Sequence, residues 1–162
     1  MRIEIVSIEV EMYSSIEELS AKDQVLLEEA RNALSKSYSP YSAFEVGAAL
    51  ILENGLILSN ANFENASFPL ALCAERTALA AANAHHPGMP VIAMAITAHN
   101  RRKKITKPIP PCGACRQVLS EIEDLQGQPI RLILQNSMEG EILVSHSCKA
   151  LLPFSFDHSF LK

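Results

Sequence analysis

The chain has 162 residues, 48% of them hydrophobic and 20% charged, a profile that excludes a disordered polar tract. Its formal net charge of −4 excludes a nucleic-acid binder that works by neutralising phosphates, and no apolar run reaches the length of a membrane span. The N-terminus lacks the apolar core of a signal peptide, and the C-x-x-C spacing argues for reduced thiols on a metal, so the expected compartment is the cytoplasm.

In chain order, residues 2–12 alternate apolar and polar, with a change of phase near Val6, and predict a strand with a bend. Residues 16–36 predict a helix, because Leu19, Leu26, Leu27, Ala30 and Leu34 recur at helical spacing. Ser39-Pro40-Tyr41-Ser42 breaks it. Residues 46–52 and 56–61 flank Glu53-Asn54-Gly55 and predict a hairpin. A loop over 62–70 leads to a helix opened by Cys73, which ends at Pro87-Gly88-Met89-Pro90. Val91 to Ile96 is continuously apolar, as a strand buried on both faces requires. A basic, proline-rich loop spans 98–110, with Arg101-Arg102-Lys103-Lys104 as a solvated run. A helix follows from Cys112 to about Asp124, then strands over 130–134 and 141–144 and a short helical region from Ala150. The alternation predicts an α/β layered domain.

The chemistry is concentrated in Cys73-Ala74-Glu75 and Pro111-Cys112-Gly113-Ala114-Cys115. Cys73, Cys112 and Cys115 supply three thiolates for one zinc ion; three protein ligands leave the fourth tetrahedral position open, the arrangement of a catalytic site. Cys112 and Cys115 are three apart and share a helix face. Both cysteine segments open helices, whose N-terminal partial charges stabilise thiolates. Cys73 and Glu75 are two apart, so they meet at one site only if it lies off the helix end. The pattern of cysteines plus a non-ligating Glu is that of zinc nucleobase deaminases. Two plainer readings compete: a closed structural site completed by Cys148, and a redox C-x-x-C that would leave Glu75 without a role. Cys148 taken alone reads as a small buried hydrophobe.

Five motifs in order carry a family resemblance: Ser39-Pro40-Tyr41-Ser42-Ala43-Phe44-Glu45-Val46-Gly47-Ala48, Asn62-Phe63-Glu64-Asn65-Ala66-Ser67, Cys73-Ala74-Glu75-Arg76-Thr77-Ala78, Pro111-Cys112-Gly113-Ala114-Cys115-Arg116-Gln117-Val118 and Leu151-Leu152-Pro153. With them the chain resembles the small, homotetrameric cytidine deaminases of the three-cysteine zinc type. The resemblance implies a three-layer α/β/α fold around a five-stranded mixed sheet, with the N-terminal strand as an addition. It implies one domain over 1–162, with 1–15 as an N-terminal extension. Cys73, Cys112 and Cys115 match the zinc ligands and Glu75 the proton shuttle. Asn62 and Glu64 match the pair that holds the ribose 3′-hydroxyl, Phe44 the ring against the pyrimidine, and Ala74 a backbone contact to the base edge. Arg76 matches an arginine that hydrogen-bonds the ligand thiolates. Phe156 matches an aromatic ring that reaches the active site of a neighbouring subunit.

The implied activity is zinc-dependent hydrolysis of cytidine and 2′-deoxycytidine to uridine and 2′-deoxyuridine with release of ammonia, in pyrimidine salvage. The implied partners are a nucleoside substrate and copies of the same chain, not nucleic acid or membrane. Asn62 and Glu64 also make sense by themselves: in extended chain both point one way, and an amide and a carboxylate can donate to and accept from one hydroxyl. A buried Glu64 would discriminate strongly against a substrate lacking that hydroxyl. Competing readings are a deaminase of an aminopyrimidine nucleoside antibiotic, of the blasticidin-S type, a nucleic-acid-editing deaminase and a zinc-stabilised interaction module. Phe63, Phe68, Pro69 and the long segment before Pro111 depart from the family pattern.

Overall fold

The computed structural model describes residues 1–136 and 140–161. Strands β1 (Glu11–Tyr13), β2 (Phe44–Leu52), β3 (Ile57–Ala61), β4 (Val91–Asn100), β5 (Arg131–Leu134) and β6 (Ile142–Ser145) form one sheet in the order β1-β6-β5-β4-β2-β3. Only β4 and β5 run parallel, so the sheet is mixed. Helix α1 (Ala21–Ala33) covers one face; α2 (Ala74–His85) and α3 (Gly113–Gln126) cover the other. The α/β/α layering expected from the motifs is therefore present, as five strands plus an added edge strand.

Strand β4 shows how the sequence directs the layers. Met94 and Ile96 point toward α2 and α3, where they meet Leu79 and Leu119, while Ala93 and Ala95 face α1 with Leu26, Leu27 and Ala30. Residues 93–96 are buried on both faces, as the apolar run over 91–96 leads one to expect, whereas Ile92 of the same run is exposed. The small residues on the α1 side admit a close approach: a Cβ on Gly47 of β2 would lie 2.0 Å from the Ala30 carbonyl oxygen. The β2–β3 turn needs its glycine too, since Gly55 has φ +86°.

Three expectations change in detail. The strand expected over 2–12 pairs only at its end, where Glu11–Tyr13 meets β6; residues 1–10 are exposed and join no ladder among the described residues. The helix expected over 16–36 is divided: a short turn at Ile16–Glu18, then α1, whose start is capped by Ser20 Oγ accepting from the Asp23 N–H at 3.2 Å. The loop expected from 98 begins after Asn100, because Ala98, His99 and Asn100 pair with Val46, Glu45 and Phe44.

Glu123 ties α3 to the chain end. Its buried carboxylate accepts from the N–H groups of Ile130 (2.7 Å), Cys148 (2.6 Å) and Lys149 (3.0 Å) and from Ser147 Oγ (2.8 Å). Replacing it with alanine strands those donors in a closed site. Glu123→Ala is expected to lower unfolding stability by about 3 kcal/mol or more, read as a shift in the denaturant midpoint.

Candidate active site

The two helices deliver the cysteines to one point. Cys73 is the residue before α2 and Cys112 the residue before α3, each in extended conformation; Cys115 sits in the first turn of α3. Their sulfurs converge, with Cys73 to Cys112 at 3.8 Å and Cys112 to Cys115 at 3.5 Å, and all three ligand atoms lie within 4.8 Å of one another. Zinc–sulfur bonds of about 2.3 Å in a tetrahedron place sulfurs roughly 3.8 Å apart, so the cluster has the dimensions of a zinc site. Cys148 takes no part. It is buried, with its thiol donating to the Ile130 carbonyl at 3.5 Å, and burial pushes that thiol up, away from the thiolate a metal needs. The closed four-cysteine site is excluded.

Electrostatics at the cluster follow from the same placement. The Cys115 thiol donates to Cys73, Arg76 and Cys112 add to this against burial, and Cys73 is held down to about 5. The same bond, then burial, holds Cys115 high. Arg76 Nη2 lies 3.8 Å from Cys73 Sγ and donates to the Ala71 carbonyl at 3.2 Å. Glu75 follows Cys73 at the helix end, off the helix axis as the spacing required, and only 4% of it is exposed. Burial raises its carboxyl; its own backbone N–H pulls back, and the Cys73 charge pushes it further up. A carboxyl raised in this way keeps its proton more readily than a free one.

Above the cluster lies a cavity of about 280 Å³, near the lower end of small-molecule sites. Cys73, Cys112 and Glu75 form its floor, and Phe44, Asn62, Glu64 and Ser42 line it. Ala74 is wholly buried at the first position of α2, where helix geometry leaves a backbone N–H without an intrahelical acceptor.

The hydrogen bonds of Asn62 and Glu64 leave a defined remainder. Asn62 Oδ1 accepts from Ser37 Oγ (2.6 Å) and the Val46 N–H (2.8 Å), and its Nδ2 donates to the Phe44 carbonyl (2.9 Å). Glu64 Oε2 accepts from the N–H groups of Tyr41 (2.9 Å) and Ser42 (3.3 Å), and Oε1 from Ser42 Oγ (2.5 Å). By inventory, one amide hydrogen and one carboxylate lone pair stay open, the complement of a single hydroxyl. Glu64 is half-buried rather than buried. Burial raises its carboxyl, but the bonds from Ser42 and Tyr41 outweigh that and hold it below the ordinary range.

Phe156 is not brought to the cavity of its own chain. Its ring is 57% exposed and stacks on Phe160 at 5.6 Å, while its carbonyl accepts from Gln117 Nε2 on α3 at 2.7 Å. The sequence reading passed over Ser42, which sits in a quoted motif without a role. The available signal was its position two residues before Phe44.

Fold and centre together define a metal-dependent hydrolase built on an α/β/α sandwich. Residues 20–126 match the family model described as the cytidine and deoxycytidylate deaminase zinc-binding region. A cytidine deaminase of Halalkalibacterium halodurans is 43% identical over 134 residues, covering 82% of this chain and 92% of that protein. The crystal structure of cytidine deaminase from Burkholderia pseudomallei has a TM-score of 0.70 at 41% identity, covering 82% of this chain and 97% of the other. That from Mycobacterium tuberculosis has a TM-score of 0.64 at 28% identity, covering 85% and 98%. The chain belongs to the cytidine and deoxycytidylate deaminase family; it is an enzyme of the zinc-dependent kind, and the interaction-module reading is set aside.

Proposed function

We propose that this chain hydrolyses cytidine and 2′-deoxycytidine to uridine and 2′-deoxyuridine with release of ammonia. The observation that carries the reading is the cavity itself: a raised, buried carboxyl beside three thiols at one end, and a one-donor, one-acceptor pair at the other. The relatives from Halalkalibacterium halodurans and Sporosarcina psychrophila both carry the name cytidine deaminase, which favours this substrate over a nucleoside antibiotic.

Cys73, Cys112 and Cys115 hold the zinc, which when bound supplies a nucleophile from water at neutral pH. Glu75 takes the proton of the attacking water and delivers it to ring N3 as oxygen adds to C4. It then takes the proton of the new C4 hydroxyl and passes it to the exocyclic nitrogen; the C4–N bond breaks, ammonia leaves and the C4 carbonyl forms. Arg76 offsets the negative charge of the thiolates. Phe44 packs against the pyrimidine, the backbone at Ala74 meets the base edge, and Asn62 and Glu64 hold the 3′-hydroxyl. The working unit is one domain of 162 residues, with residues 1–15 as an extension. It assembles as a homotetramer in which Phe156, exposed and anchored through its backbone, enters a neighbour's site. The setting is pyrimidine salvage in the cytoplasm. Among the described residues no helix is long and apolar enough to cross a membrane.

One substrate panel tests this. Cytidine and 2′-deoxycytidine are expected to turn over well. Because Glu64 is half-buried, 3′-deoxycytidine is expected to lose about 10–100-fold in kcat/KM, the value of one hydrogen bond to a charged group rather than of a sealed polar site. Free cytosine and single-stranded oligonucleotides are expected to be poor. Rapid deamination of oligonucleotides or of bare cytosine overturns the nucleoside pocket.

A further inference from the structure

Ser42 stands where two recognition tasks meet. Its hydroxyl donates to Glu64 Oε1 at 2.5 Å, and the same oxygen accepts from the Phe44 N–H at 3.0 Å. A hydroxyl has one hydrogen and two lone pairs, so Ser42 uses its only donor on the sugar-side carboxylate and an acceptor on the residue that faces the base. The Phe44 carbonyl is held from the other side by Asn62 Nδ2. Phe44 is thus gripped at both backbone polar groups by the residues of the sugar pair, directly through Asn62 and through Ser42 for Glu64.

The intervening turn does not relax freely. Ala43 has φ +58°, in the left-handed region that an alanine rarely adopts. It is locked there by its N–H donating to the Ser39 carbonyl (3.1 Å) and its carbonyl accepting from the Arg101 N–H (3.1 Å). Across the gap, the Tyr38 N–H donates to the Asn62 carbonyl (3.1 Å) and the Glu64 N–H to the Tyr38 carbonyl (2.8 Å). Backbone held on both sides leaves the Ser42 hydroxyl as the adjustable joint between carboxylate and ring.

We propose that Ser42 is a positioning residue that couples sugar recognition to base stacking: its one hydroxyl ties Glu64 Oε1 to the Phe44 N–H, so the carboxylate that meets the sugar and the residue that meets the ring are held in register by the same group. The proposal rests on the nucleoside reading of the cavity. It predicts that the 3′-hydroxyl and the Phe44 ring do not contribute independently. The step is non-covalent and leaves Glu75 and the three cysteines untouched.

The test is a double-perturbation cycle on the zinc-loaded enzyme, with cytidine against 3′-deoxycytidine on one axis and Phe44 against Phe44→Leu on the other. In the natural enzyme, making both changes is expected to cost at least threefold less in kcat/KM than the product of the two separate losses. In a Ser42→Ala background the two losses are expected to multiply, while KM for cytidine rises roughly tenfold with kcat within about threefold. Ser42→Thr keeps the hydroxyl and is expected to restore the coupling. Zinc content is measured in every variant, and calorimetric binding of cytidine is measured beside turnover. Coupling that survives in Ser42→Ala, or that is absent in the natural enzyme while cytidine is turned over, overturns the role of Ser42 and leaves the nucleoside reading standing. Neither turnover nor binding of cytidine by the natural enzyme removes both.

Discussion

Glu75→Gln is expected to fold, to hold zinc and to lose roughly 10²–10⁴-fold or more of its cytidine turnover. Glutamine fills the same volume at a position only 4% exposed, so packing around α2 is kept. What it cannot do is accept a proton. The raised carboxyl exists because burial, outweighing its own backbone N–H and joined by the Cys73 charge, favours the protonated form, and none of those causes acts on an amide. The loss is therefore expected to fall on kcat far more than on KM, because the proposed role of Glu75 is on atoms that change during the reaction. Steady-state rates with cytidine, and zinc analysis of the same preparation, check it. A variant that retains zinc and deaminates at near the natural rate would remove Glu75 from the proton path.

The site was legible in the sequence where its geometry is local. Two short motifs open two helices, and a helix start fixes where the side chains before it and in its first turn point, so the cysteine spacing alone predicted convergence at the helix ends. The condition placed on Cys73 and Glu75 was met for the same reason. The long-range partners were not legible. Ser42 and Glu64 are 22 residues apart, and nothing in either motif states that one hydroxyl serves both Glu64 and Phe44. Glu123 reads as an ordinary polar position on a helix, yet it gathers donors from residues up to 26 positions away.

The fold shows the same division. The apolar run of β4 and the Asn-Gly turn were readable because they are continuous, local signals. The alternation over 2–12 is also a local signal, but a strand needs a neighbour, and within that span only Glu11 and Met12 find one. The divided helix near Ser20 illustrates a competing local bond: apolar spacing runs through it, while the Ser20 side chain takes the Asp23 N–H and starts the helix later.

Alanine in place of Cys73, Cys112 or Cys115 is expected to remove zinc and activity together, while Cys148→Ser leaves both nearly intact. Each of the three contributes one corner of a cluster whose sulfurs already sit near zinc-bonded spacing. With one lost, two sulfurs remain, and Glu75, the buried carboxylate of the same cavity, is the one proposed to move the proton. Cys115 is expected to be the most damaging, because it is wholly buried and its removal also opens a void in the first turn of α3. Cys112 is exposed, so its loss removes the ligand with little change in packing, and it separates the metal effect from the fold. The Cys148 thiol donates to the Ile130 carbonyl, and serine keeps a donor for that acceptor. Metal content per chain, cytidine turnover and thermal midpoint, measured on all four variants, decide the matter: zinc lost from Cys148→Ser, or kept at full occupancy by Cys112→Ala, would assign the metal to a different set of ligands.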